Sequence, residues 1–410
     1  MEDVAFRVAV VGAGYAGMAA AVRLAEQKIP VTVFESGPVP GGRARRISVQ
    51  DQVLDNGQHI LIGAYSALFD LMHQVGVPSD AVLRLPLELK YASGFALRSL
   101  WLPAPFGLLG GLLLAKGLPW RERLGAVRFM SQMRARRFFL DRDISVRALL
   151  ERHGQHGAAA RYLWEPLCIS ALNTPVAQAS ARVFLAVLRD TLAGAPDASD
   201  LLLPRVDLSQ LFPEPAAAYV AKNGGEVRLR SPVQSLEALK DFSAIIVAVG
   251  PHQLKSLLGE SAPQYSYQPI YTCYLQYPES TRLPFPMLGM EAGLVQWVFD
   301  RGALTGERGR LACVISAQGE HQQMTLDEVC QACHRELAQA LPGLPAPLWS
   351  RAIAEKRATI TCSPESVRPP DQIGGVFLAG DYTDPDYPPT LEAAVRSGLR
   401  AAERARQRAV

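Results

Sequence analysis

Nowhere in its 410 residues does the sequence hold a run of about 20 consecutive apolar residues, the length a membrane-crossing helix requires. Charge imbalance is also lacking. Lysine and arginine number 42 against 39 acids, and the resulting +3 is too small to imply a nucleic-acid partner. Cysteine is scarce and scattered: Cys168, Cys273, Cys313, Cys330, Cys333 and Cys362 sit mostly in apolar contexts, which fits buried, reduced thiols better than a disulfide framework. Internal repeats and low-complexity tracts are absent, and no set of metal ligands stands out. The opening MEDVAFR has two acids and one base before an apolar run that is already interrupted by glycines, unlike a secretory leader. A cytoplasmic chain is therefore expected. Its length and its 49% hydrophobic content suit two interwoven domains with sizeable cores.

One cysteine pair invites a special reading. Cys330-Gln-Ala-Cys333-His334 has the spacing of a c-type haem attachment site. However, Leu326, Val329, Cys333, Leu337 and Leu341 recur at helical spacing, so the sequence predicts a core helix with Cys333 on its buried face.

What is present begins at VAVVGAGYAG. Residues 7–11 predict a buried parallel strand, followed by Gly12, Gly14 and Gly17 in G-x-G-x-x-G spacing with Tyr15 and Ala16 between them. A helix over 16–27 and a second strand over 31–35 complete the unit. The glycines allow a tight turn, close backbone approach to a pyrophosphate, and close helix–strand packing, and the helix N-terminus favours the phosphate charge. Glu35 ends the second strand, where a carboxylate accepts from ribose hydroxyls.

Three further stretches specify the dinucleotide. SGPVPGGRARR places Gly41, Gly42 and Arg43 just past Glu35, GGEVRLRSPVQSL (224–236) precedes a buried strand in DFSAIIVAVGP, and VFLAGD (376–381) leads through YTDPDYPPT into a helix rich in small residues. Together these resemble the flavin amine oxidase and phytoene desaturase superfamily. That resemblance implies non-covalent FAD. Its pyrophosphate would be embraced from the far side by Gly42 and Arg43, and its adenine bracketed by Val233 in a short hairpin. Its ribityl chain would be held by Gly380 and Asp381, and its pyrimidine edge faced by the backbone of Thr390, Leu391 and Glu392 at a helix N-terminus. Arg45 and Arg46 read as solvated charge. The fold class expected is α/β: a Rossmann-type FAD-binding domain assembled from residues 1–65, 205–255 and 370–410. It is interleaved with a mixed α+β substrate domain from 66–204 and 256–369, and APDASD (195–200) is expected as an exposed loop.

Residues 99–115 carry no charge over 17 positions, while 116–137 hold seven bases against Glu122 alone. Pro103, Pro105 and three glycines exclude a long helix in the first stretch. In the second, Leu124, Val127, Met130 and Met133 fall on one helix face. Segment 99–137 is thus either a wall of a greasy cavity or a surface touching the inner face of the cytoplasmic membrane.

The narrower segments LDNGQHILIGAY (54–65), LWEPLCISALNTP (163–175) and LLPRVDLSQLF (202–212) resemble hydroxysqualene dehydroxylases, the squalene-associated branch, over essentially the whole chain. The resemblance implies a hydrophobic isoprenoid substrate. Hydroxysqualene, supplied by squalene- or presqualene-synthase-like partner enzymes, would lose its hydroxyl and gain a hydride. Such chemistry needs an acid, a dry cavity and a well-placed flavin. The apolar residues of 95–140 and 270–300 are expected to line the cavity. His59 is the candidate acid, since histidine can protonate near neutral pH, with Gln58 orienting it or the substrate oxygen and Asp55 bracing the turn. His59 could equally be a core residue bonded to backbone. Tyr65, Tyr382 and Tyr387 are second-line donors, and Trp164 and Arg205 either shape the pocket or merely pack. The rival readings are a carotenoid desaturase running hydride transfer the other way, a flavin amine oxidase (no lysine-held water or aromatic cage is identifiable), and a non-catalytic scaffold for prenyl-chain enzymes.

Overall fold

Val8–Val11 is buried along its whole length, as a valine-rich strand with neighbours on both sides and helices on both faces must be. The structure, a computed structural model, describes residues 6–49, 51–102, 106–192, 195, 197–291, 293–384 and 387–409. Val8–Val11 pairs in parallel with Val31–Phe34 on one side and Ala244–Val247 on the other. Glu226–Arg228 and Val376–Leu378 extend the parallel sheet outward, and Gln372–Ile373 closes one edge antiparallel. Residues from the beginning, middle and end of the chain therefore share one six-stranded sheet.

The segment 224–236 does not form the expected hairpin. Glu226–Arg228 is an edge strand pairing in parallel with Val31–Phe34, and the chain then turns back along Glu35 through a Ser231 N–H bond to the Glu35 carbonyl.

Two helices pack on this sheet by their small faces. Tyr15–Glu26 lies against the C-terminal helix Leu391–Arg406, whose Gly398 comes so close that a Cβ there would stand 2.1 Å from the Ala16 carbonyl oxygen. Only glycine permits that approach at position 398.

The second sheet is antiparallel, ordered Met287–Gly289, Trp297–Asp300, Arg310–Ser316, Tyr267–Gln276, Trp349–Ile360. Side-chain alternation sorts its faces. Leu311, Cys313 and Ile315 point to the helix Leu326–Ala340, while Ala312 and Val314 join the core beside the main cavity. Cys330 and Cys333 are both on the buried face of that helix, with Cys330 Sγ 3.5 Å from Cys273 Sγ, so the pair belongs to the core. All six cysteines are free and buried.

A helical layer covers the far side. Phe106–Leu114 is a nine-residue helix despite its three glycines, because Gly107 and Gly111 let it lie directly on the backbone of residues 98–102. Residues 103–105, with Pro103 and Pro105, lie outside the described residues. Trp120–Ala135 follows, burying Ala126, Phe129, Met130 and Met133. The expected face was set differently: Leu124 points outward and Val127 is only half-buried. Of the expected 195–200 loop, Pro196 lies outside the described residues, Asp197 is exposed and Ala198 is buried.

Candidate active site

One connected cavity of about 790 Å³ runs from the first Gly-rich loop to the helical layer. Its nucleotide end is made of backbone. Gly12 has φ +105°, and a Cβ there would stand 2.5 Å from the Ala248 carbonyl; one at Gly17 would stand 1.9 Å from the Gly12 carbonyl. Gly17 itself stays out of the cavity wall and serves the packing, whereas Gly12, Gly14, Tyr15 and Ala16 line it. The second glycine segment zips onto the first. Gly41 N–H donates to the Ala13 carbonyl, and a Cβ at Gly42 (φ +62°) would lie 3.1 Å from Gly14 Cα. Gly14 has no side chain with which to cap the following helix, so the opening N–H groups of Tyr15–Glu26 are left for a ligand.

Glu35 closes this end. Its carboxylate accepts from the N–H groups of Ala13 (2.8 Å) and Gly37 (2.7 Å), which fixes it at the cavity wall with lone pairs to spare for ribose hydroxyls. Val233, Gly380, Asp381, Thr390 and Leu391 line the same cavity. The Thr390 hydroxyl caps its helix by accepting from Ala393 N–H, and the helix start faces the cavity. A dinucleotide thus fits the residues present: orphan amides for the pyrophosphate, an acid for a ribose, and a positive helix end for the ring edge.

Several expected contacts fall elsewhere. Glu392 is not part of the cavity wall; its buried carboxylate accepts from Ala67 and Leu68 N–H, capping the neighbouring helix Ser66–Gln74. Arg43 lines the cavity, but its guanidinium pairs with Asp381 at 2.6 Å and donates to the Ala358 carbonyl, so its charge is met by a carboxylate. Burial pulls the Arg43 pKa down, but the charge and hydrogen bond of Asp381, joined by the Glu355 charge, together raise it above the ordinary value. Arg45 is not idle: it lines the cavity and donates to the Gly42 carbonyl. Arg46 pairs with Glu214 and Asp207.

The 55–59 turn joins the nucleotide end to the apolar end. Asp55 is buried and lies outside the cavity wall. It accepts from Leu208 N–H at 2.8 Å and pairs with Arg301 at 3.3 Å. Burial pushes its pKa up to about 6, with Arg301 opposing. Asp55 thus ties the turn to Leu208 and Arg301 from outside the cavity wall. Gln58 lines the cavity and accepts from Arg301, while its amide approaches the His59 carbonyl; among the described bonds it does not touch the His59 ring. That ring is held instead by Nδ1 at 2.9 Å from the Gly57 carbonyl, which assigns the proton of the neutral ring to Nδ1. His59 lines the cavity. Burial, and then the Arg43 charge, hold its pKa below the ordinary 6.5, so the expectation of easy protonation near neutral pH is corrected downward.

Tyr65 and Tyr387 also line the cavity, their phenols pushed well above 10 by burial. Tyr382 is fully buried behind the wall and is excluded as a donor. Arg205 is exposed and away from the cavity, whereas Trp164 lines it and donates to Gln155. The apolar end is lined by Leu87, Leu97, Leu108, Leu112, Leu163 and Trp297. Sequence reasoning missed Arg301, His252 and Glu355, the last two being polar side chains in the wall. His252 was signalled by its place just after the Gly-Pro that ends a buried strand. Glu355 is brought in by its pairing with Ile270, and Arg301 by the short helix Arg301–Thr305 that follows a strand, placements that no local pattern reveals.

The family profile described as "Flavin containing amine oxidoreductase" matches residues 15–406. A hydroxysqualene dehydroxylase of Sinorhizobium fredii is 27% identical over 421 residues, covering 97% of this chain and 97% of its own. A probable zeta-carotene desaturase of Synechococcus elongatus is 23% identical over 471 residues, covering 97% and 98%. Among solved structures, an oxidoreductase from Methanosarcina mazei superposes with a TM-score of 0.72 at 16% identity, covering 97% of this chain and all of the other, which speaks for the fold.

Proposed function

Because the chain belongs to the flavin containing amine oxidoreductase family and is an FAD-dependent oxidoreductase, we propose that it reduces hydroxysqualene to squalene. The observation that carries this reading is the continuity of the cavity. Orphan amides and an acid suited to the dinucleotide open without a partition onto a leucine-lined end, with the 56–59 turn between them. The hydroxysqualene dehydroxylase of Sinorhizobium fredii, similar over nearly the full length of both chains, supports the choice of substrate.

In the overall reaction the substrate C–O bond breaks, its oxygen leaves as water after gaining a proton, and a C–H bond forms. When bound and reduced, FAD supplies the hydride. The chain's own task is to deliver the proton and keep water away. His59 is the proposed proton donor, held in place by Gly57 and backed by the Gln58–Arg301–Asp55 chain. The developing allylic cation would sit among leucine side chains, where no nucleophile competes.

Purified FAD-loaded protein, kept reduced and anaerobic, should convert hydroxysqualene to squalene detectable by mass. Absence of product, with dehydrogenation of a carotene instead, would replace this reading by the desaturase one. His59→Ala should retain FAD and lose roughly 10²- to 10⁴-fold in turnover. In the wild-type protein the rate should fall as pH rises through a value below 6.5, since the active form is the protonated one.

A further inference from the structure

Thirteen large apolar side chains are exposed among the described residues, and eight of them lie within 101–139, under a tenth of the chain. Trp101 is 96% exposed, Phe106 63%, Leu114 65% and Trp120 64%. Scattered exposed leucines need no explanation, but a concentration of this kind, with two tryptophans, does.

The same segment carries uncompensated positive charge. Lys116, Arg121, Arg128, Arg134, Arg136 and Arg137 are exposed, and among the described residues none of them forms a salt bridge. Glu122, the sole acid between 116 and 137, turns inward to accept from Ala159 N–H. Arg123 is spent on the Leu113 and Leu118 carbonyls, tying the two helices together. Leu124, which helical spacing would place in the core, is exposed as well.

The helix Phe106–Leu114 is used on two sides. Leu108 and Leu112 line the cavity, whereas Phe106, Leu113 and Leu114 are exposed. We propose that the 101–139 face docks on an anionic phospholipid bilayer, with Phe106–Leu114 as the wall shared by lipid and cavity. Apolar side chains enter the interface while the arginines meet lipid phosphates, the arrangement of a monotopic surface. No helix among the described residues is long and apolar enough to cross a membrane. Docking itself is independent of the reaction; entry of an isoprenoid alcohol through this wall rests on the function proposed above.

The test uses FAD-loaded protein floated with vesicles of phosphatidylcholine alone or mixed with phosphatidylglycerol. The protein should float with the anionic vesicles and far less with the neutral ones, and brominated lipid should quench its tryptophan emission. The R128E/R134E/R136E variant should bind anionic vesicles roughly 100-fold more weakly. The W101S/L114S/W120S variant should bind at least about tenfold more weakly and lose the quenching, with its flavin absorbance unchanged. Three results would overturn the proposal. The protein could stay unbound by anionic vesicles, the serine variant could bind and quench as the wild type does, or a DNA fragment could displace the protein from the vesicles. Failure of the squalene assay with vesicle binding intact would strike the reaction and leave docking standing.

Discussion

At the nucleotide end of the cavity backbone meets backbone, while at the apolar end leucine and tryptophan side chains face open space. The first end is specified by positions where a single added carbon cannot fit: Gly12, Gly17, Gly41. The second is specified by bulk and apolarity, which many residues supply. The difference teaches which mutations should be fatal and which graded, and why related folds keep one ligand while changing the other.

The sharpest way to break this contrast is Gly17→Ala. Its Cβ would collide with the Gly12 carbonyl, so the loop must shift, at a cost of about 3 kcal/mol. The variant should purify without flavin colour and melt at lower temperature; normal FAD retention would show that the cradle is softer than the geometry implies.

Asp55 probes the seam between the two ends. Its folded-state pKa of about 6 lies above the ordinary 3.8, so the protonated carboxyl favours the fold. That contribution is complete below about pH 3.8 and lost as pH rises through about 6, a span worth about 3 kcal/mol. Relative to Asp55→Asn, wild-type unfolding free energy from denaturant midpoints should fall by that amount across the window. Parallel pH profiles would place the carboxylate in a more hydrated setting.

The smallest effect is expected at Leu108→Ala. The side chain is half-buried and borders open volume, so stability should drop by less than about 2 kcal/mol, FAD affinity should not move, and substrate KM should rise several-fold. Loss of flavin would erase the distinction between the two ends.

The same contrast governs how much could be read from sequence. The Gly12–Gly17 loop, Glu35 and the C-terminal helix are local patterns, and the structure gathers them at one cavity. Ties between distant residues escaped: Arg43 to Asp381, Arg301 to Asp55 and Gln58, and Glu392 to the helix at 66–74. Each depends on which charged side chain finds a buried partner hundreds of positions away, and periodicity carries no such information. Residues 224–236 depart from the expected hairpin for a related reason: two short extended runs read alike whether they pair with each other or with a remote strand.

The most direct test of one cavity serving both ligands is anaerobic mixing of the reduced, FAD-loaded protein with hydroxysqualene while flavin absorbance is followed. The oxidised-flavin spectrum should return with one squalene formed per flavin, and more slowly in His59→Ala. A flavin that stays reduced in the presence of saturating hydroxysqualene would contradict the account.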